Sequence, residues 1–221
     1  MTVQFCIIDY GMGNLHSIEN AFRFLGCEAV RSHNPDFLER AEAFILPGVG
    51  AFGEAMSALR ERGIVDVLSR RVLAERAPLL GICLGAQLIA QESSENGRHS
   101  GLGWIEGVVE LIPTPSGLPL PHVGWNEVVG RRDCCLFDNI AASANFFFDH
   151  SYRIRCDDAV VKGVAEYGEP VAAALQSHNI LATQFHPEKS QTNGLRLLRN
   201  FVNFAARQAQ QERRIACSSG V

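Results

Sequence analysis

The sequence predicts an α/β protein: a largely parallel, open sheet flanked by helices, with an antiparallel, β-rich annex. Two observations predict it. Over the first ~95 residues, short apolar runs alternate with stretches of helical periodicity, the pattern of a parallel sheet covered on both faces. Between Gly107 and Phe185 the helical periodicity disappears, and β-rich runs follow one another with turn residues between them. The chain has 221 residues, enough for one ordinary domain or at most two small ones. Its composition, 47% hydrophobic, 20% charged and 8% aromatic, excludes a disordered or collagen-like chain.

The elements follow in order. Phe5 to Asp9 is a short apolar run that ends at a glycine cluster and reads as a buried strand. Asn14 can cap the next helix, in which Leu15, Ile18, Ala21, Phe22 and Leu25 recur at helical spacing until Gly26 stops it. Ala43 to Leu46 is a second buried strand, closed by Pro47-Gly48. Residues 54–73 carry one long helix or a pair broken near Gly63. Leu79 to Cys83 is a third strand and runs straight into a helical pattern at Leu84, Leu88 and Ile89. The β-rich half has runs at 108–112, 122–129, 145–155, 160–166, 171–176 and 180–185, and 113–121 is a proline-rich connector. A last helix begins near Asn193 with the stripe Leu195, Leu198, Phe201, Val202 and Ala205. One domain over 1–205 is expected, with 206–221 as a frayed or disordered extension that has lost the stripe.

Charge and cysteine usage narrow the function classes. Twenty basic against 24 acidic residues give a net charge of −4, which argues against nucleic acid or a membrane surface as a partner. No apolar run approaches the ~18 residues of a membrane helix. Met1 to Phe5 enters a strand-like run with no basic leader, so a soluble, cytoplasmic protein is expected. Seven scattered cysteines without a Cys-x-x-Cys pair speak against a disulfide framework or a zinc site.

Three local signals carry chemistry. The sharpest is Gly81-Ile82-Cys83-Leu84-Gly85-Ala86-Gln87, a nucleophile elbow with cysteine in place of serine. Glycines two residues to either side allow the close backbone approach such a turn needs, and the thiol falls at a helix N-terminus, which favours thiolate. A buried structural cysteine is the alternative reading. The second signal is Thr183-Gln184-Phe185-His186-Pro187-Glu188-Lys189-Ser190. His186 can serve as base to the thiol, with Glu188 holding its other ring nitrogen. Alone, it reads equally as a surface His-Pro turn. His16, His33 and His99 read as surface residues and His178 as a turn residue. The third signal, Pro47-Gly48-Val49-Gly50-Ala51-Phe52-Gly53, spells G-x-G-x-x-G, but it does not open the first βαβ unit and no strand-end acid follows about 20 residues on. It reads better as a turn whose backbone N–H groups, with that of Leu84, stabilise an oxyanion.

These motifs, in this order, resemble class I glutamine amidotransferases, a flavodoxin-like α/β family with a Cys-His-Glu triad. The similarity is strongest to the branch that supplies the glutaminase subunits of imidazole glycerol phosphate synthases. It is carried by Asp9-Tyr10-Gly11-Met12-Gly13-Asn14-Leu15, Pro47-Gly48-Val49-Gly50, Pro121-His122-Val123-Gly124-Trp125-Asn126 and His150-Ser151-Tyr152, and it runs from about residue 3 to 205. The resemblance implies that Cys83, His186 and Glu188 are catalytic, and that backbone groups of Val49, Gly50 and Leu84 form the oxyanion hole. It implies that Gln87 and Glu95 hold the α-amino and α-carboxylate ends of L-glutamine, with the backbone of Ser151 and Tyr152 lining the same pocket. Glu95 taken alone reads as a solvated loop acid. A (β/α)8 cyclase subunit is implied as the partner in a heterodimer, receiving ammonia through a channel, with Asn14, Trp125 and Asn126 at the interface. Trp125 can also be read as a core residue of the annex. No metal or organic cofactor is implied. The chain departs from the branch at Ala86, where methionine is usual, and at Asp149, where an apolar residue is usual. A similar glutaminase subunit serving another synthase, such as a sugar-amidation enzyme, is the alternative. A non-catalytic scaffold and a thiol hydrolase on a related fold are more distant ones.

Overall fold

The computed structural model describes residues 3–114 and 117–218. Among these described residues, thirteen strands and six α-helices follow in chain order. They begin with β1 (Phe5–Ile8), α1 (Leu15–Phe24), β2 (Ala29–Ser32), α2 (Pro35–Leu38), β3 (Ala43–Leu46), α3 (Phe52–Glu61) and α4 (Ile64–Ser69), which one π-turn (Arg70–Ala74) extends. Then come β4 (Leu79–Ile82), α5 (Leu84–Leu88), β5 (Ala90–Ser93), β6 (His99–Ser100), β7 (Ile105–Leu111) and β8 (His122–Gly130). The chain closes with β9 (Ser143–His150), β10 (Tyr152–Cys156), β11 (Val161–Tyr167), β12 (Glu169–Ser177), β13 (Ile180–Thr183) and α6 (Gln191–Ser218).

Nine strands form one sheet in the order β2-β1-β3-β4-β13-β12-β11-β8-β9. The first five run parallel. From β13 onward each pair is antiparallel. The expected antiparallel, β-rich annex is present, and most of it continues the parallel sheet edge-on. A separate four-stranded sheet, β10-β7-β5-β6, lies apart. The run expected at 145–155 splits at Ser151 into β9 of the large sheet and β10 of the small one.

Strand alternation builds the two layers of core. Phe5 and Ile7 of β1 point to one face, where they meet Ile18 and Phe22 of α1 and Leu198 and Phe201 of α6. Cys6 and Ile8 point to the other, against Met56 and Leu59 of α3 and Leu68 of α4. The central parallel strands are buried throughout, so they read as continuous apolar runs. The edge strand β2, Ala-Val-Arg-Ser, is only partly buried and carries no such run, which is why the pattern misses it. Gly63 breaks the helical stretch as expected, with φ +65° between α3 and α4.

The C-terminal expectation needs correction. The frayed extension from 206 is helical through Ser218, in one 28-residue helix. Ala209 is buried and Arg213 pairs with Glu42, so this part docks on the domain even though the apolar stripe has thinned. Residues 219–221 of that extension, and residues 115–116 of the proline-rich connector, lie outside the described residues. Among the described residues no helix is long and apolar enough to cross a membrane.

Candidate active site

Ligands of open α/β sheets gather beyond the carboxyl ends of the parallel strands, and the expected site residues do so here. β1 leads into Gly11–Asn14, β3 into the Pro47–Gly50 turn, β4 into Cys83, and β13 into Gln184–His186. The elbow is strained as its role requires: Cys83 has φ +53° and ψ −111° between the last residue of β4 and the first of α5. Both flanking glycines have steric causes. A Cβ on Gly85 would lie 1.8 Å from the Leu46 carbonyl oxygen, and one on Gly81 would lie 2.9 Å from the Gly85 oxygen. The Pro47–Gly50 turn packs against the elbow in the same way. A Cβ on Gly48 would lie 2.5 Å from the Tyr10 hydroxyl and 2.8 Å from Leu84 Cβ, and the Tyr10 hydroxyl donates to the Pro47 carbonyl at 2.7 Å. This tight fit, not a dinucleotide, accounts for Gly48.

A cleft of about 270 Å³ opens over the thiol, at the small end of ligand sites. It brings together Val49, Gly50, Cys83, Leu84, Gln87, Glu95, Ser151 and Tyr152, with Pro121, Asp149 and His150 completing the wall. As N1 of α5, Leu84 has no intrahelical acceptor for its N–H. Glu95 is no free surface acid: its Oε2 accepts the Phe52 N–H at the start of α3, at 2.7 Å.

His186 and Glu188 stand behind the thiol, both buried. His186 Nδ1 lies 2.8 Å from Glu188 Oε1, and Nε2 is buried with no hydrogen-bond partner among the described residues. The loop is pinned to β9. The His186 N–H donates to the Phe147 carbonyl at 2.9 Å, and the Ser190 hydroxyl donates to the His186 carbonyl at 2.6 Å while accepting the Phe147 N–H at 2.9 Å. Burial disfavours charge on His186, but the adjacent Cys83 thiolate and the Glu188 carboxylate outweigh it and raise the imidazole well above its ordinary range.

At the rim, Lys189 Nζ lies 3.8 Å from Asp149 Oδ2 and 5.5 Å from the centroid of the Phe147 ring. Trp125 is 49% exposed and packs its edge on Phe147, with ring centroids 6.1 Å apart, so it is not a core residue. Asn126 does not share that face. Strand alternation turns it the other way, where its amide donates to His122 and to the Glu166 carbonyl. Asn126 is half-buried there. Asn14 is exposed and caps α1 by accepting the Ser17 N–H.

The sequence reading missed a buried histidine pair. His122 Nδ1 lies 3.0 Å from His150 Nε2, a register partner across β8 and β9. Burial pushes both imidazoles down to about 4. A histidine whose folded pKa is depressed leaves the unfolded chain binding more protons between the two values, so folding stability falls as pH drops from 6.5 toward 4. The melting temperature is expected to decline over that window, and less steeply in His122→Phe. Equal slopes would contradict burial of the neutral ring.

The glutamine amidotransferase class-I family model matches residues 6–204. Imidazole glycerol phosphate synthase subunit HisH 1 of Campylobacter jejuni (strain RM1221) is 44% identical over 89% of this chain and 98% of its own length. Subunit HisH of Methanothermobacter thermautotrophicus is 46% identical over 89% of this chain and 96% of its own. Among solved structures, a glutamine amidotransferase superposes with a TM-score of 0.71 at 25% identity, over 91% of this chain and 98% of that one. A chain of PurLQS from Thermotoga maritima shares the fold, with a TM-score of 0.71 at 21% identity over 92% and 99% of the two chains. With the family model spanning nearly the whole chain and these relatives covered almost end to end, the chain belongs to the class I glutamine amidotransferases, in their HisH branch.

Proposed function

We propose that the protein hydrolyses L-glutamine to L-glutamate and ammonia with Cys83 as nucleophile, as the glutaminase subunit of an imidazole glycerol phosphate synthase. The observation that carries this reading is the strained Cys83 beside a buried His186–Glu188 pair at 2.8 Å, all on one sheet edge. Cys83 Sγ attacks the side-chain amide carbon, and the N–H groups of Leu84 and of the Val49–Gly50 turn take up the oxyanion. His186 protonates the departing nitrogen, the C–N bond breaks, and ammonia leaves a γ-glutamyl thioester. Water, deprotonated by His186, attacks that thioester; the S–C bond breaks and glutamate is released. Glu188 fixes the tautomer and balances the imidazolium.

The donor and acceptor inventory orients the substrate. Gln87 spends both amide hydrogens inside the wall, on the Tyr152 carbonyl at 2.8 Å and Gln184 Oε1 at 3.1 Å. Its own oxygen and the Glu95 carboxylate are acceptors, so both suit the α-ammonium group. The α-carboxylate then falls to backbone N–H groups of Ser151 and Tyr152. The Ser151 carbonyl accepts the Ile112 N–H at 2.9 Å, which makes Leu111–Tyr152 a non-hydrogen-bonded pair. The Tyr152 N–H and C=O therefore face away from β7.

In this reading, the partner is a (β/α)8 cyclase subunit, joined as a cytoplasmic heterodimer. Ammonia passes through it to an open-chain ribulosyl aminoimidazole carboxamide nucleotide, giving imidazole glycerol phosphate and the carboxamide ribotide for histidine biosynthesis. Glutaminase activity measured with and without the cyclase and its nucleotide tests this. If a different synthase co-purifies and accepts the ammonia, the acceptor assignment fails. Trp125, exposed beside the site, is the proposed anchor of the partner face. Trp125→Ala is expected to weaken partner binding by about 2 kcal/mol or more and to leave the melting temperature of the isolated chain nearly unchanged. A marked stability loss with intact affinity would reject the anchor.

A further inference from the structure

The polar groups behind the cleft form one continuous chain whose direction is forced from a single point, the Tyr152 carbonyl. A carbonyl only accepts, so His150 Nδ1, 2.8 Å away, carries a hydrogen. A neutral ring protonated there has a bare Nε2, which must accept from His122 Nδ1 at 3.0 Å. His122 Nε2 is then bare in turn and accepts from Asn126 Nδ2 at 3.2 Å, whose other hydrogen goes to the Glu166 carbonyl at 2.9 Å. On the other side, Gln87 must turn its NH2 to the Tyr152 carbonyl, and its second hydrogen meets Gln184 Oε1. That leaves the Gln184 NH2 facing Cys83 Sγ, at 3.9 Å. No member can reverse without setting two donors or two lone pairs against each other, and His122, His150, Gln87 and Gln184 are all buried from water.

We propose that Gln184 is a positioning residue that presents an amide N–H to the Cys83 sulfur, and that the Tyr152 carbonyl fixes its orientation through Gln87. A free glutamine side chain could offer sulfur its oxygen as readily as its nitrogen; only the nitrogen stabilises a thiolate, by a charge-assisted hydrogen bond. The proposal rests on Cys83 being the nucleophile and adds what holds its charge besides His186.

The test is alkylation of Cys83 by iodoacetamide in the full-length chain as a function of pH, read by peptide mass spectrometry so that the other six cysteines are scored separately. The titratable side chains around the sulfur are His186 with Glu188 behind it, Tyr10, and Glu95, Asp149, His150 and Tyr152 of the cleft wall, with Lys189 at the rim; they are the same in every variant. Gln184→Leu is expected to slow alkylation at neutral pH about tenfold and to move the profile about one pH unit upward, as loss of one bond to a charged group should. Gln87→Leu removes the donor that holds Gln184 Oε1, and should shift the profile in the same sense by about threefold. Profiles that overlay the wild type in both folded variants would overturn the proposal. A shift in Gln184→Leu without one in Gln87→Leu would overturn the orienting role of Gln87. Should Gln184→Leu fail to fold, Gln184→Glu decides: it sets a carboxylate beside the sulfur in place of the N–H, and a profile that overlays the wild type refutes the proposal. Alkylation requires neither glutamine nor an ammonia acceptor, so this failure is separable from failure of the proposed function. An unreactive Cys83 in the wild type would strike at the nucleophile itself.

Discussion

Replacing Cys83 with alanine is expected to lower glutamine-dependent turnover by at least ~10³-fold, because the members of a catalytic triad act as one unit. The substitution removes only Sγ. Alanine at φ +53° meets the same backbone strain as cysteine, and the sulfur's neighbours, the Asp149 carbonyl at 3.8 Å and the Gln184 amide, are contacts of a few ångströms rather than supports of the fold. The variant should therefore stay folded and should still bind the cyclase. Supplied with ammonium salt, the complex is expected to make imidazole glycerol phosphate at the wild-type rate, since ammonia bypasses the thiol. Both rates are measured on one preparation. Glutamine hydrolysis near the wild-type rate in Cys83→Ala would mean that the nucleophile is misassigned. Loss of the ammonia-dependent rate as well would mean that the alanine disturbs the subunit contact.

What was legible in the sequence was local. The elbow could be read because its glycines have a cause within the motif: the backbone around Cys83 approaches too closely for a Cβ at 81 or 85. His186 and Glu188 were legible because a single residue, Pro187, separates them, little enough for them to meet. Other features depend on strand register, which no short motif encodes. His122 and His150 are 28 residues apart and become neighbours only when β8 pairs with β9. The antiparallel, β-rich part was legible as a class, but not its junction with the parallel strands through β12, β11, β8 and β9, for the same reason: runs of strand residues do not say which edge they join. Asn126 is a different case. In a strand its neighbour Trp125 must face the opposite way, so the alternation itself sets the two side chains on opposite faces of β8, but the hydrogen bond from Asn126 to His122 could not be read from it. The helix from 206 to 218 is not legible because the apolar stripe thins there. A buried Ala209 and a pairing of Arg213 with Glu42 suffice to dock it.

The largest regulatory effect is expected at the Pro47–Gly50 turn. Liganded complex should hydrolyse glutamine about 10³ times faster than the isolated chain, a difference that needs only ~4 kcal/mol between two states of the site. The turn is held at one end, where the Tyr10 hydroxyl binds the Pro47 carbonyl and Gly48 is wedged between Tyr10 and Leu84. At the other end it is loose: Val49 is 43% exposed, and Gly50 adopts φ +105°, which L side chains rarely do. A peptide flanked by glycines on both sides of Val49 can flip at low cost, turning an N–H toward the oxyanion or away from it. In the proposed reading the isolated chain rests mostly with that donor misplaced, and nucleotide on the cyclase shifts the population through the surface beside Val49. The measurement is the glutaminase rate of the isolated chain, of the complex, and of the complex with nucleotide. Gly50→Ala, strained in the present backbone, should alter the ratio between the first and the last without weakening assembly. Equal rates in all three samples would show that no such switch exists, and a ratio left unchanged by Gly50→Ala would place the switch elsewhere than in this peptide.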